Sequence, residues 1–236
     1  MLTAERTEAD HVAPLLLGRR PRWVVEVGSS RGSIAERMAR AGVDALCVDL
    51  DPDVIRLAHR PAIQASADAL PLLDESVDAV TAMNVLYFLD SPVHAVAEAR
   101  RVLRPGGVFV ACTQARDNDP ELRGIVPGWG APTTFDGDNA ESVARSTFGD
   151  VTVERWDQVV YRFESPADIA EYLNVHYRMT VDAAHDAARG RPCPFELTKR
   201  GLFIWARKPM RIKRSRRRAE PENSTWQMTP RSRVSH

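Results

Sequence analysis

The sequence predicts an α/β domain built on a mostly parallel sheet with helices on both faces. Three observations carry that expectation. Short apolar, β-branched runs alternate with segments of helical spacing between residues 20 and 207, and strands alternating with helices imply crossover connections and parallel strands. The run Trp23-Val24-Val25-Glu26-Val27 passes into Gly28-Ser29-Ser30-Arg31-Gly32 and then into a helical pattern from Ser33. Polar residues stand where successive strands end, at Glu26, Asp49, Asp68 and Asn84. In open α/β sheets, ligands bind beyond the carboxyl ends of the strands, where the strand order reverses.

The totals agree with one such domain. The chain has 236 residues, enough for one α/β domain with modest additions. No apolar run is long enough to cross a bilayer, and the N-terminus lacks a signal-peptide pattern. Cys47, Cys112 and Cys193 are widely spaced, so free thiols, a reducing cytoplasm and no metal site are expected. The zero net charge hides an asymmetry. Lys208 to His236 holds nine of the 32 basic and two of the 32 acidic residues, a net of +7, which leaves −7 on residues 1–207.

In chain order, residues 1–19 read as a helix with Val12, Leu15, Leu16 and Leu17 as an apolar patch, and Pro14 interrupts or starts a turn of it. Residues 1–20 are a candidate lid. Val24, Val25 and Val27 suit a buried strand. Gly28 and Gly32 permit backbone conformations and close approaches that a Cβ blocks. The helix after them directs free N–H groups at the turn, where an anionic or hydroxyl-bearing ligand fits. Ala45 to Val48 reads as a second strand ending at Asp49, and Asp51-Pro52 as the start of a second helix, with Asp51 its N-cap. A third strand is expected near 62–65, a loop at Asp68-Ala69-Leu70-Pro71, and a fourth strand over Asp78–Asn84. A helix follows from Ser91-Pro92, with Arg100, Arg101 and Arg104 at its C-terminal end, where cations suit the dipole. Pro105-Gly106-Gly107 predicts a sharp turn into a fifth strand, Val108–Cys112. A long polar loop spans 117–138. A helix over Asn139–Phe148, a strand over Val151–Trp156, a helix from Ser165-Pro166 and a last strand over Gly201–Ala206 complete the domain. From Lys208 the basic run with little apolar content predicts a disordered tail, 208–236.

These motifs resemble those of class I S-adenosylmethionine-dependent methyltransferases, and more closely the small-substrate group related to ubiquinone/menaquinone C-methyltransferases. The resemblance covers residues 20–115 well and 115–207 loosely. Glu26 and Gly28 match the first motif, Ser30 stands where its middle glycine is expected, and Gly32 matches the last. Asp49 falls on the acidic residue that holds the ribose hydroxyls, with Leu50 after it. Asp68-Ala69 falls on the loop acid near the adenine amine. Ser76–Val80 and then Asn84–Asp90 match the fourth motif, and Arg101–Gly107 is the most recognisable segment. The resemblance implies a Rossmann-like, seven-stranded, mostly parallel sheet with an antiparallel last strand. It implies S-adenosylmethionine as cofactor, with Glu26, Gly28, Ser30, Gly32, Asp49, Leu50, Asp68, Ala69 and Asn84 as its contacts. Residues 1–207 would form the domain, with 157–200 a candidate acceptor-side cap.

The residues themselves are compatible with these roles. A carboxylate at a strand end can accept from two vicinal hydroxyls, as at Asp49. Asp68 can accept from an exocyclic amine, or act as an N-cap. Glu26 can hold the cofactor or water, or cap backbone N–H groups. Asp78 reads as structural. Methyl transfer from a sulfonium is an in-line displacement with an activated leaving group, so positioning dominates, and a base is needed only if the acceptor must lose a proton early. No catalytic base is assigned. Tyr87 is the aromatic expected nearest the transferred methyl. Trp129, Tyr172 and His176 are candidate acceptor-pocket residues, with Phe135 and Tyr161 beside them. His94 is expected at the surface.

Rival functions are a nicotinamide oxidoreductase, a cofactor-binding protein without catalysis, and a nucleic-acid methyltransferase using the basic tail. The first lacks a further glycine at Ile34 and any Tyr-x-x-x-Lys pair. The third lacks Asn-Pro-Pro-Tyr, Asp-Pro-Pro-Tyr or Pro-Cys after the fourth strand. A small-molecule acceptor and no membrane partner are expected.

Overall fold

The apolar runs pair into one seven-stranded sheet in the computed structural model, which describes residues 7–210. Its strands are β1 (Trp23–Val27), β2 (Asp44–Asp49), β3 (Ala62–Gln64), β4 (Val77–Met83), β5 (Leu103–Gln114), β6 (Val151–Phe163) and β7 (Phe195–Arg207). Their spatial order is β3-β2-β1-β4-β5-β7-β6. Pairing is parallel from β3 through β5, and β7 runs antiparallel to both β5 and β6. The order reverses between β1 and β4, so the first crevice opens beyond Val27 and Met83.

Among the described residues seven helices cover the sheet: α1 (Glu8–Leu17), α2 (Ser33–Arg40), α3 (Pro52–Leu57), α4 (Pro92–Val102), α5 (Ala140–Phe148), α6 (Pro166–Tyr177) and α7 (Val181–Ala188). The strand period of two divides the apolar residues between two cores. Val25, Val27, Val48, Val80 and Phe109 pack with α4 and α5. Val24, Cys47, Val110 and Cys112 pack on the other face with α1, α2 and α3. A third, smaller core lies among the far halves of β6 and β7, α6, α7 and the loop after β5, around Phe163, Ile169, Leu173 and Leu197. Arg101 ties α4 to the loop after β3, donating to Glu98, Asp74 and the carbonyls of Leu70 and Leu72. Asp78 is structural, accepting from the backbone N–H groups of Arg22 and Trp23 and from Arg104.

Several elements differ from expectation. α1 runs through Pro14 without a break; it starts from a capping box of Thr7 and Asp10. The N–H that Pro14 lacks would have met the carbonyl of Asp10, an exposed residue, so water can replace it. Leu15, assigned to the apolar patch, is 45% exposed. Pro105-Gly106-Gly107 lies within β5 as an irregularity: Leu103 pairs with Val77, and pairing resumes at Val108 with Ala79. β6 and β7 run several residues beyond their expected ends, and α7 was not anticipated. α7 buries only Ala184 and Ala188, too little apolar side chain for a strong periodic signal. Among the cysteines, Cys47 and Cys112 are buried and Cys193 is exposed; all three are free. No helix among the described residues is long and apolar enough to cross a membrane. The basic run that begins at Arg211 lies outside the described residues.

Candidate active site

The turn between β1 and α2 is shaped by its glycines. Gly28 has φ +61°, and a Cβ there would stand 2.2 Å from the Val85 side chain. Gly32 has φ +81°, and a Cβ there would meet Cys47 Sγ at 2.6 Å and His59 Cβ at 2.9 Å. Ser30 adopts φ +48°, a left-handed conformation that costs a side-chain-bearing residue about 1 kcal/mol. Its N–H donates to Asp49 Oδ2 at 3.0 Å, which ties the turn to the end of β2.

Glu26 lies beneath this turn, 4% exposed. Its Oε1 accepts from the N–H of Ile34 at 3.2 Å and its Oε2 from that of Ala35 at 2.8 Å. Both oxygens thus cap α2 from inside the sheet, so its observed contacts order the turn. Burial pushes its carboxyl up to about 7 from 4.5, against the pull of the two N–H donors. The folded state therefore keeps a proton that the unfolded chain releases. The stability contributed by the protonated form is full below about pH 4.5 and is lost as pH rises through 7. Relative to Glu26→Gln, which does not titrate, the wild type is expected to lose about 3 kcal/mol across that interval and to level off above it. Urea denaturation of both proteins at pH 5 and pH 8 checks this; a constant difference contradicts it.

The other expected cofactor residues line the same edge. Asp49 Oδ1 accepts from the N–H of Asp51 at 3.1 Å. Each of its oxygens retains a free lone pair, so the carboxylate can still accept from vicinal hydroxyls. Leu50 beside it is 63% exposed. Asp68 and Ala69 are exposed in the loop after β3, with Asp68 Oδ1 accepting from Ser66 Oγ at 2.5 Å. Asn84 ends β4 at φ +51°, a conformation its short side chain tolerates. Its Nδ2 donates to Glu8 Oε1 at 3.0 Å. The hydroxyl of Ser29 in the turn is buried against Cys47. A strand-end carboxylate with free lone pairs, the exposed Asp68 and an exposed leucine offer acceptors and an apolar face that fit an adenosyl group.

Asn84 also lines a cavity of about 450 Å³ on the other side of the edge. Of the candidate acceptor-pocket residues, Tyr87, Tyr161 and His176 line it. Three other residues do not. Trp129 faces a separate cavity near Arg116 and Arg200, and its Nε1 donates to the carbonyls of Asn118 and Asp119. Phe135 is fully buried in the core beside α4 and α5. Tyr172 is 3% exposed, and its hydroxyl donates to Asp119 Oδ2 at 3.1 Å. His94 is exposed, as expected.

Asp119 is the hub of a buried polar group beside the cavity. It is fully buried at φ +53°. Its Oδ2 accepts from Lys199 Nζ at 2.8 Å and from the hydroxyls of Tyr172 and Tyr177. Burial and then the Asp119 charge push both phenols up, so they stay protonated as donors. Lys199 lines the cavity. Burial first, then the Lys199 ammonium, pulls His176 down from its ordinary value.

The cavity wall also includes Glu8 and His11 of α1, and Glu154, Trp156 and Phe203 of the last two strands. These were missed. Glu8 and His11 are three apart and so share a helix face, a signal the sequence did contain. Asp119 and Lys199 are 80 positions apart, and no local pattern joins them. The expected lid thus has two sides: Ala9, Val12, Ala13 and Leu16 pack on the sheet, while Glu8 and His11 face the cavity.

Residues 25–111 match the family described as a methyltransferase domain. This segment is a methyltransferase domain. It holds the glycine turn, Asp49, Asp68 and Asn84, and is the region the motifs identified. An uncharacterized methyltransferase of Mycobacterium tuberculosis is 36% identical over 128 residues, 52% of this chain and 51% of that protein. A malonyl-[acyl-carrier protein] O-methyltransferase of Enterobacter lignolyticus is 33% identical over 124 residues, 50% of this chain and 49% of that protein. The chain therefore spans about half the length of the curated relatives it matches. The solved structure of a SAM-dependent methyltransferase from Archaeoglobus fulgidus covers 86% of this chain and 96% of its own, with a TM-score of 0.56 at 16% identity. That likeness extends the shared fold past the matched domain into the last two strands.

Proposed function

We propose that this chain transfers a methyl group from S-adenosylmethionine to a small acceptor held in the cavity beside Asn84. The observation that carries this is Asn84 itself. It ends β4 at the edge holding the glycine turn and Asp49, and it also lines the 450 Å³ cavity. One residue thus joins a site for a donor to a site for an acceptor. In this reading Asp49 accepts from the ribose hydroxyls and Asp68 from the adenine amine. Leu50 and Ala69 would flank the base, and Gly28 and Gly32, packed against Val85, Cys47 and His59, shape with Ser30 the turn beside the amino acid end. Tyr87 stands beside Asn84 at the acceptor end, where burial pushes its phenol up to about 12, so it remains a neutral wall and hydrogen-bond donor. The bound cofactor supplies the activated methyl group. The protein supplies orientation and exclusion of water, effects that reach several kcal/mol in well-aligned reactions.

The test is incubation with methyl-labelled S-adenosylmethionine and a panel of phenols, amines and carboxylates. Label is expected in a small-molecule product. Tight binding of S-adenosylhomocysteine with no label transferred to any acceptor would favour the binding-only alternative.

A further inference from the structure

We propose that His11, oriented by Glu154, takes the proton from a flat hydroxyl-bearing acceptor in the cavity. This rests on the methyl-transfer reading and assigns it a base and an acceptor class. The geometry begins with α1. Its first turn is pinned to the end of β4 by the Asn84–Glu8 hydrogen bond. Three residues on, His11 stacks on Phe203, with ring centroids 4.7 Å apart and planes at 25°. Sheet register places Glu154 directly opposite Phe203. Its carboxylate therefore reaches the edge of the same imidazole: His11 Nε2 lies 3.0 Å from Glu154 Oε1. The contact is at ion-pair distance, and Glu154 is the group beside this buried nitrogen, which makes no aligned hydrogen bond among the described residues. A carboxylate beside one imidazole nitrogen, with the ring at the wall of a cavity, leaves the other nitrogen, Nδ1, to take a proton, the arrangement of a base with its orienting group.

The other cavity walls indicate what is bound. The rings of Tyr87, Trp156, Tyr161 and Phe203 enclose it, and flat faces favour an aromatic acceptor. The other histidine lacks such a partner. His176 stands against Tyr161 and Tyr172, with no ion pair to a carboxylate among the described residues, and the nearby Asp119 is engaged by Lys199. The charged and titratable groups facing His11 are Glu8 on its own helix, Glu154 on β6, and Tyr87, Tyr161, His176 and Lys199 across the cavity.

The step balances. The acceptor O–H proton passes to the His11 imidazole. The oxygen's electron pair forms the new bond to the methyl carbon while the carbon–sulfur bond breaks, its pair remaining on sulfur. The imidazolium then returns its proton to water. Glu154 is a positioning residue, since it acts through His11.

The test uses the full chain saturated with S-adenosylhomocysteine and para-nitrophenol as probe, because its ionised form is read directly by absorbance without turnover. Bound to the wild type, the phenol is expected to ionise about one pH unit below its value in water, a tenfold change in equilibrium. His11→Asn is expected to remove that change, and Glu154→Gln to move the midpoint back toward the free value. The affinity for S-adenosylhomocysteine should hold within about twofold in both, which also reports that the variants fold. The Glu154 side chain is 45% exposed, so its variant remains informative if His11→Asn is unstable. Wild-type ionisation persisting in His11→Asn overturns the assignment, as does unchanged ionisation of the bound phenol in the wild type, or no binding of the phenol. Loss of S-adenosylhomocysteine binding by the wild type would instead strike the cofactor reading, and the phenol measurement on the unliganded protein still reads His11.

Discussion

Asp49→Ala is expected to weaken S-adenosylhomocysteine binding about 100-fold or more. Two effects combine. A carboxylate accepting from vicinal hydroxyls makes charge-assisted hydrogen bonds, each contributing about 1.5–3 kcal/mol. The same carboxylate also holds the turn, accepting from the N–H groups of Ser30 and Asp51. Its loss frees Ser30 from the left-handed conformation that the turn requires. A combined loss near 3 kcal/mol is about two decades of affinity. Asp49→Asn, which keeps one accepting oxygen, should fall between the two. Calorimetric titration of the three proteins measures this. An affinity within threefold of wild type in Asp49→Ala would remove Asp49 from the site.

Asp119→Ala is expected to destabilise the protein by about 3–5 kcal/mol, because it strands the Lys199 ammonium in a buried position. The Lys199 side chain is 16% exposed and the Asp119 side chain 1%. Two phenols lose their acceptor in the same change. This group joins the loop after β5 to β7 and α6, so its loss should loosen the third core and the wall that carries Tyr161 and His176. Replacing both charges, Asp119→Leu with Lys199→Met, should recover most of the stability, since a buried pair is often replaceable by apolar side chains. Urea denaturation of the single and double variants provides the check. A loss under 1 kcal/mol for Asp119→Ala would mean that water reaches the ammonium and the group holds little.

The parallel half of the fold was legible because its signals are local. Short valine-rich apolar runs, glycines at Gly28 and Gly32, and Asp51-Pro52 before α3 each act within a few residues of chain. The same holds for the edge proposed to hold the cofactor, where Asp49 and Asn84 follow strands that their own segments specify. The antiparallel half was less legible. The outer lengths of β6 and β7 carry Arg, Gln, Glu and Lys, and are held by pairing with each other more than by apolar pattern. The wall of the proposed acceptor cavity was least legible because its residues meet only through the topology. Tyr172 and His176, four apart on α6, had equal claims from sequence. The structure turns Tyr172 to a buried aspartate from another loop and leaves His176 on the cavity. Trp129 and Phe135 went astray for the same reason: in a loop with no periodicity, nothing in the sequence tells which way a ring points. Glu8 and His11 were overlooked because α1 was read for its apolar face alone.

The most direct test of the central claim is calorimetric titration of the purified chain with S-adenosylhomocysteine, with NAD(H) as the comparison. Selective binding of the sulfur ligand at micromolar affinity or tighter is expected, about −8 kcal/mol. Folded protein that binds no S-adenosylhomocysteine, or that binds the nicotinamide ligand instead, would contradict it.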